Sequence, residues 1–341
     1  MKKTLSFVLS ILLVVGLLSA SAGSALADSA PEAKKLHIVT TIFPVYDWVM
    51  NVLGDQAGSA ELTMLLDSGV DLHSYQPTVE DIVKIAGCDL FIYVGGESDE
   101  WVDDALAEAT NKDMAVIDLL EVLGDKVKEE EIVEGMEAEH DHDHDHEEDH
   151  DHEEDHDHEE GEAEFDEHVW LSLKHAGALS GAIADTLVQL DPANADSYRA
   201  NAAAYAEKLD ALDAEYRAAV DAAPVKTLLF GDRFPFRYLT DDYGLDYYSA
   251  FVGCSAETEA SFQTIIFLAN KLDELGLPAV LQIESADGSI ARTIVENTKS
   301  RNQQILTLDS MQSVTAKDVA AGTSYLAIME KNLDVLKAAL G

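Results

Sequence analysis

Short apolar runs alternate along this chain with longer amphipathic stretches, beginning at Leu36. Apolar runs of about four to eight residues are typical of buried strands, whereas apolar positions three or four residues apart predict helices. Strands separated by helices of ordinary length indicate βαβ units and a parallel sheet. In the first half we predict strands at 36–41, 61–66, 89–94 and 114–119, with helices at 47–53, 78–86 and 101–109.

The same alternation returns after Pro224, and two helices separate the halves. The first covers 174–190, and the second covers 194–222 without glycine or proline. At 1.5 Å per residue the second helix is about 43 Å long, which is longer than one small lobe requires. In the second half we predict strands at 227–231, 246–252, 279–283 and 304–308, with helices at 235–243, 261–276, 290–299 and 324–340.

The predicted fold class is therefore α/β, with two similar parallel-sheet lobes joined by one long backbone helix. The N-terminal lobe spans 36–190, the helix 194–222 and the C-terminal lobe 224–341. Open parallel sheets bind ligands beyond the carboxyl ends of their strands. With two facing lobes, the site belongs in the cleft between them.

Polar residues that follow the predicted strands are the candidates for that cleft. Taken singly, a loop histidine is more often a surface residue, and an aspartate after a strand is often a helix N-cap. Taken together, histidines and carboxylates form a plausible ligand set for a transition metal. The candidates are His73, Asp232, Glu257, Glu259, Glu284, Asp287 and Asp309, together with His168, which precedes the helix at 174–190.

An acidic, histidine-rich run precedes His168. Residues 129–167 carry 23 acids and no base. The run has too little apolar surface to offset the entropy of ordering it, so we predict a disordered loop over about 129–165. Imidazole and carboxylate suit zinc and its neighbours, which predicts an accessory metal-binding loop. Its histidines are His140, His142, His144, His146, His150, His152, His156 and His158.

The charge and the N-terminus indicate an exported protein that attracts cations. The formal net charge of −44 disfavours nucleic acid and anionic membranes as partners. A cleaved signal peptide over 1–27 is predicted by Lys2 and Lys3, by the apolar stretch 5–18 and by the small-x-small pattern at 25–27. No lipidation cysteine follows the apolar stretch. We expect the mature protein in the periplasm or at the extracellular face of the cytoplasmic membrane.

The chain has two cysteines, Cys88 and Cys254. In an exported protein they can form a disulfide, although their separation in the chain is large. The alternative is two free, buried thiols, and the sequence leaves both possibilities open.

Several motifs resemble those of the zinc/manganese solute-binding proteins of bacterial ABC importers. The resemblance extends from about Ile38 to Leu340, with the motifs in the order that the family has them. It implies two α/β lobes on one long backbone helix, a metal in the cleft, and a His-rich acidic loop as in many zinc-specific members. The motifs are HSYQPT around His73, DEHVW around His168, DYGL at 242–245, the E-x-S of 259–261 and SYLAIMEKNLDVL at 324–336.

Carried over residue by residue, the resemblance makes His73 and His168 metal ligands and Asp309 a carboxylate ligand from the second lobe. Most zinc members have a further histidine directly after the first strand of that lobe. Counting from that strand, this chain has Gly231 at that place, with Asp232 next, and counting back from the DYGL motif it has Arg233, so neither register gives a histidine. We take Asp232 as the third ligand, with Glu257, Glu284 or Cys254 as alternatives.

The resemblance implies a monomeric, high-affinity Zn²⁺ receptor that delivers its ion to the permease of an ABC transporter. The His-rich run favours zinc, whereas a cleft of two histidines and two carboxylates would suit Mn²⁺. A second hypothesis is an extracellular metal buffer or adhesin in which the run is the functional part. A secreted zinc hydrolase needs an open coordination position and a general base, and we predict no enzymatic activity.

Overall fold

The computed structural model describes residues 35–137, 164–255 and 259–341. The predicted signal peptide, the eight histidines of the run and Glu257 lie outside those ranges. No helix within them is both long enough and apolar enough to cross a membrane.

A four-stranded parallel sheet with the strand order β2-β1-β3-β4 forms the centre of the N-terminal lobe. Its strands are β1 (Leu36–Thr40), β2 (Ala60–Met64), β3 (Leu90–Tyr93) and β4 (Ala115–Asp118). The helices of this lobe are α1 (Phe43–Leu53), α2 (Val79–Gly87), α3 (Trp101–Ala107), α4 (Leu119–Leu123) and α5 (Leu173–Leu190).

Side-chain caps start several helices where the sequence predicts them. Thr78 and Asp81 form a reciprocal capping box at the start of α2, in which each side chain accepts a backbone N–H of the other residue. The hydroxyl of Ser172 accepts the His175 N–H at the start of α5. Such caps satisfy backbone donors that have no partner inside the helix, and each contributes about 1 kcal/mol.

The second lobe repeats the strand order of the first. Strand β5 (Thr227–Leu229) pairs with β6 (Asp246–Tyr248), and β7 (Ala279–Gln282) pairs with β8 (Gln304–Thr307), all in parallel. A parallel bridge from Phe230 to Leu281 joins the pairs, which gives the order β6-β5-β7-β8. The helices are α7 (Arg237–Tyr243), α8 (Phe262–Leu275), α9 (Ser289–Asn297), α10 (Ala316–Ala320) and α11 (Tyr325–Leu340).

The predicted backbone helix is α6 (Ala195–Ala222), and it contacts both lobes. Asn201 donates to the Val52 carbonyl at the end of α1 at 3.0 Å, and the Tyr216 hydroxyl donates to the Met329 carbonyl of α11 at 2.6 Å. One apolar cluster includes residues of α1, α5, α6 and α11 and of strands from both sheets. The lobes therefore share a continuous core, which resists wide hinge opening.

The first part of the predicted disordered loop contacts the C-terminal lobe. Residues 129–137 are described, and Glu129 forms an antiparallel bridge with Phe165. Glu131 pairs with Arg237, and Glu134 lies 3.3 Å from the Lys271 ammonium. The prediction of disorder from 129 is therefore wrong for this stretch, because two of its acids pair with cations of the other lobe.

A buried carboxyl on α1 makes the stability of the fold depend on pH. Burial raises the pKa of Asp47 from 3.8 to about 6, although the Asn51 amide donates to it at 3.0 Å. The folded state therefore binds this proton more tightly than the unfolded chain, so stability falls as pH rises between those two values. The shift corresponds to about 3 kcal/mol.

We expect Asp47→Asn to remove this loss of stability between pH 4 and pH 6.5. Chemical denaturation of the metal-free protein at both pH values measures it, with Glu207→Gln on the exposed side of α6 as the matched control. A pH dependence equal to that of the wild type would contradict the assignment to Asp47.

Candidate metal centre

His73 lies in the loop between β2 and α2, on a short 3-10 turn over Leu72–Ser74. Asp71 caps this turn, because its Oδ1 accepts the His73 N–H at 3.1 Å. The His73 Nδ1 lies 2.8 Å from the Ser98 hydroxyl and 3.5 Å from Glu167 Oε2. These contacts fix the ring from its Nδ1 side and leave Nε2 for a ligand.

His168 is fully buried, with 0% of its surface exposed, immediately before a 3-10 turn that leads into α5. The Asp166 carboxylate accepts the His168 backbone N–H at 2.9 Å and lies 3.0 Å from Nδ1 of the ring. A carboxylate at this position holds the proton on Nδ1 and orients Nε2 for a metal.

The two imidazoles face each other through their Nε2 atoms, which are 3.1 Å apart. Burial, followed by the neighbouring His168, lowers the pKa of His73 to about 3. The His73 ring is therefore neutral at pH 7, which is the form that binds metal. The pair offers two convergent nitrogen ligands.

Cys254 is the third member of this group and comes from the opposite lobe. Its Sγ and the ring nitrogens of His73 and His168 all lie within 4.8 Å of one another. The Cys254 N–H donates to Glu130 Oε1 at 3.0 Å, which fixes the loop that follows β6. Burial, followed by the negative charge of Glu130, raises the pKa of the thiol, so an incoming metal must displace its proton.

Glycine before Cys254 allows the two lobes to approach this closely. A Cβ at Gly253 would lie 2.9 Å from the Phe234 carbonyl oxygen and 3.2 Å from Cε1 of His168. A side chain at this position would push the cysteine loop away from the histidine pair.

The spacing of this group fits tetrahedral zinc. With Zn–N bonds of about 2.0–2.1 Å, two nitrogens on one tetrahedral zinc are about 3.3 Å apart. The observed 3.1 Å between the Nε2 atoms needs only a small adjustment. Among the described residues, one group of at least three His, Cys, Asp or Glu side chains is close enough together to hold an ion, and it consists of His73, His168 and Cys254.

The carboxylates expected from the second lobe do not join this group in the part of the chain that the structure describes. Asp232 uses both oxygens within its own lobe, accepting the Arg233 N–H at 2.9 Å and the Ile283 N–H at 3.1 Å. Burial raises the pKa of this carboxyl. Asp232 therefore joins the ends of β5 and β7.

Glu284 and Asp309 order the loop that follows β8. Glu284 accepts the Ser310 N–H at 2.7 Å and the Gln312 N–H at 3.1 Å. Asp309 accepts the Met311 N–H at 2.8 Å, and burial together with Glu284 raises the pKa of its carboxyl to about 6. These bonds hold the loop that follows β8 in place, and neither carboxylate is a member of the group at the histidine pair.

The cysteines are both free thiols in the structure. Cys88 is buried in the N-terminal lobe, with its Sγ 3.3 Å from the sulfur of Met114. Cys254 lies at the histidine pair, so the alternative of two free thiols describes this structure.

A cavity of about 260 Å³ adjoins His73 and Cys254. Four glutamates and the Ser98 hydroxyl face it, so it attracts cations. Its other lining residues are Glu97, Ser98, Glu130, Glu164, Phe165 and Glu167. Glu164 is also the residue at which the described chain resumes after the His-rich run.

Known proteins match nearly the whole chain. The zinc-binding protein AdcA of Streptococcus pyogenes is 31% identical over 307 residues, covering 89% of this chain and 56% of that protein. This chain thus spans a little over half the length of that relative. The high-affinity zinc uptake system protein ZnuA of Bacillus subtilis is 29% identical and covers 95% of this chain and 94% of its own length.

The fold also matches a zinc-bound crystal structure. The Zn(II)-bound ZnuA-like domain of Streptococcus pneumoniae AdcA is 29% identical, with a TM-score of 0.67 over 90% of this chain and 99% of that domain. The family described as ZnuA, zinc-uptake complex component A, periplasmic, matches residues 38–339. With its two parallel sheets and long helix, this chain belongs to the ZnuA family of zinc-uptake complex components.

Proposed function

We propose that this protein is an extracytoplasmic zinc receptor whose ion binds to His73, His168 and Cys254. The observation that carries the proposal is the convergence of two imidazoles and a thiol within 4.8 Å, at the junction of the lobes. The zinc-binding names of the relatives support it. Three protein ligands leave one position of a tetrahedral zinc for water or a carboxylate.

The thiol changes the expected metal preference. Manganese prefers carboxylate, carbonyl and water oxygens, whereas thiolate and imidazole suit zinc. The cleft expected from the sequence, with two carboxylates, was compatible with both metals. A site with Cys254 in place of those carboxylates favours zinc.

We expect one tight zinc site, with zinc bound at least about 100-fold more tightly than manganese because manganese binds thiolate poorly. Competition titration against a chromophoric chelator measures both affinities. A variant lacking 139–160 removes the contribution of the run, and the full-length protein is the control. Tighter binding of Mn²⁺ than of Zn²⁺ would overturn the zinc proposal.

Delivery to an ABC permease is the function that fits such a site. Since the lobes share one core around α6, release requires small shifts of the ligand-bearing loops rather than wide opening. Zinc uptake by cells that lack this protein tests the proposal. Growth in zinc-depleted medium should be restored by the wild-type gene and not by His168→Ala.

A passive metal buffer is the competing hypothesis, and the described cleft disfavours it. A buffer has no need of a buried histidine held by Asp166 at an interlobe junction. We propose no enzymatic activity for this protein. The spacing H-E-x-x-H, which on a helix marks a zinc metalloprotease, does occur at 146–150 and 152–156 in the acidic run. If His73→Ala and His168→Ala keep the tightest site while deletion of 139–160 removes it, the buffer is correct.

A further inference from the structure

Arg233 follows Asp232 in the loop after β5, and its side chain crosses to the other lobe. Its guanidinium pairs with the Asp71 carboxylate. Only 14% of the Arg233 side chain and 20% of the Asp71 side chain are exposed. Salt and solvent therefore screen this pair less than an ordinary surface ion pair.

Asp71 connects this ion pair to the metal centre. One of its oxygens accepts the His73 N–H at 3.1 Å, and the other pairs with Arg233. The same carboxylate therefore caps the turn that carries His73 and ties that turn to the C-terminal lobe.

Arg233 is firmly anchored on its own side. It forms a parallel bridge with Phe251, on the segment that leads to Cys254. Its N–H donates to Asp232, whose other oxygen accepts the Ile283 N–H. The guanidinium therefore extends from a rigid junction of strand ends.

The loop that carries His73 has room to move without this tie. Backbone contacts with the C-terminal lobe hold its start, where Ser68 bridges Thr315. Beyond that point a cavity of about 450 Å³ lies between the lobes, bordered by Gly69, Asp71 and Ser74 on one side. Arg233 and Ser255 border the opposite side.

We propose that Arg233 is a positioning residue for the metal centre, which holds the His73 turn against the C-terminal lobe through Asp71. This inference rests on the proposed zinc site. The ion pair connects the two lobes next to the histidine pair, and it does so before a metal binds. The ligand group is thereby preorganised, so less binding energy is spent on ordering the loop.

The sign of the effect on zinc affinity separates positioning from simple electrostatics. A cation near a cation site repels the ion, so Coulomb's law alone predicts that Arg233→Ala tightens zinc binding. Positioning predicts the opposite. We expect Arg233→Ala to weaken binding about 10-fold, at the lower end of the 10–100-fold that residues supporting a metal ligand contribute. Arg233→Lys should recover part of the loss.

A double-mutant cycle tests whether Arg233 acts through Asp71. Asp71→Asn keeps an oxygen for the His73 N–H but removes the charge that Arg233 pairs with. If Arg233 acts through Asp71, the double variant has the same zinc affinity as whichever single variant binds zinc more weakly. Additive losses, or unchanged or tighter binding by Arg233→Ala, would overturn the proposal. Arg217→Ala, which breaks an exposed pair within α6, is the matched control.

Hydrogen exchange of the metal-free, full-length protein tests the tie without zinc. We expect faster exchange of the amides of 72–75 in Arg233→Ala and in Asp71→Asn, but not in Arg217→Ala. If the amides of 72–75 exchange at the same rate in all three variants, the proposed tie is wrong, even if zinc binds as proposed. If the wild type itself binds no zinc tightly, the zinc proposal fails, and the exchange result still decides whether the tie exists.

Discussion

Replacing His168 with alanine is expected to abolish the tight zinc site. His168 is 0% exposed, and its Nε2 lies 3.1 Å from Nε2 of His73. Removing one of three protein ligands should cost more than the 10–100-fold that loss of a supporting residue costs. We therefore expect the affinity to fall by at least about 1,000-fold. Isothermal titration in competition with a chelator measures the change.

His37→Ala is the control for that experiment. His37 is an exposed histidine on β1, near Glu61, and is not part of the ligand group. Its replacement should leave zinc affinity unchanged. Thermal denaturation of the metal-free variants shows whether His168→Ala still folds. A folded His168→Ala that retains the wild-type affinity would place the tight ion elsewhere.

Periodicity was sufficient to predict the fold because each element satisfies a local rule. The long helix α6 contains neither glycine nor proline, so its predicted and observed ends agree within one residue. The first helix begins at Phe43 rather than at Asp47, since Pro44 lies in its first turn, where proline is tolerated. The short helices α4 and α10 were not predicted, because five residues are too few for a periodic pattern.

The second-lobe member of the candidate site was harder to predict than the fold. A sequence does not show that Asp232 and Glu284 accept backbone N–H groups, or that Cys254 lies within 4.8 Å of the histidine pair. The repeated strand order offers a clue that was available. His73 follows the second strand of the first lobe, and Cys254 follows the second strand of the second lobe. Equivalent loops of the two lobes thus face each other at the cleft.

Replacing Cys254 with serine is expected to weaken zinc binding by at least about 100-fold and to reduce the preference for zinc over manganese. A hydroxyl at this position is a hard, neutral donor in place of a soft thiolate. Cobalt substitution measures ligation directly, because a cysteine ligand gives an intense sulfur-to-cobalt charge-transfer band in the near ultraviolet. The band should be present in the wild type and absent from Cys254→Ser.

Cys88→Ser is the matched control for the cobalt experiment, because Cys88 is the other free thiol and is buried in the N-terminal lobe. Its replacement should leave the band and the zinc affinity unchanged. Asp309→Asn tests the carboxylate that the sequence favoured, and its zinc affinity should fall by less than the roughly 10–100-fold that loss of a supporting residue costs, because Asp309 lies outside the ligand group. A folded Cys254→Ser that keeps the band, or a loss of tight binding in Asp309→Asn that matches the loss in Cys254→Ser, would return the second-lobe ligand to a carboxylate.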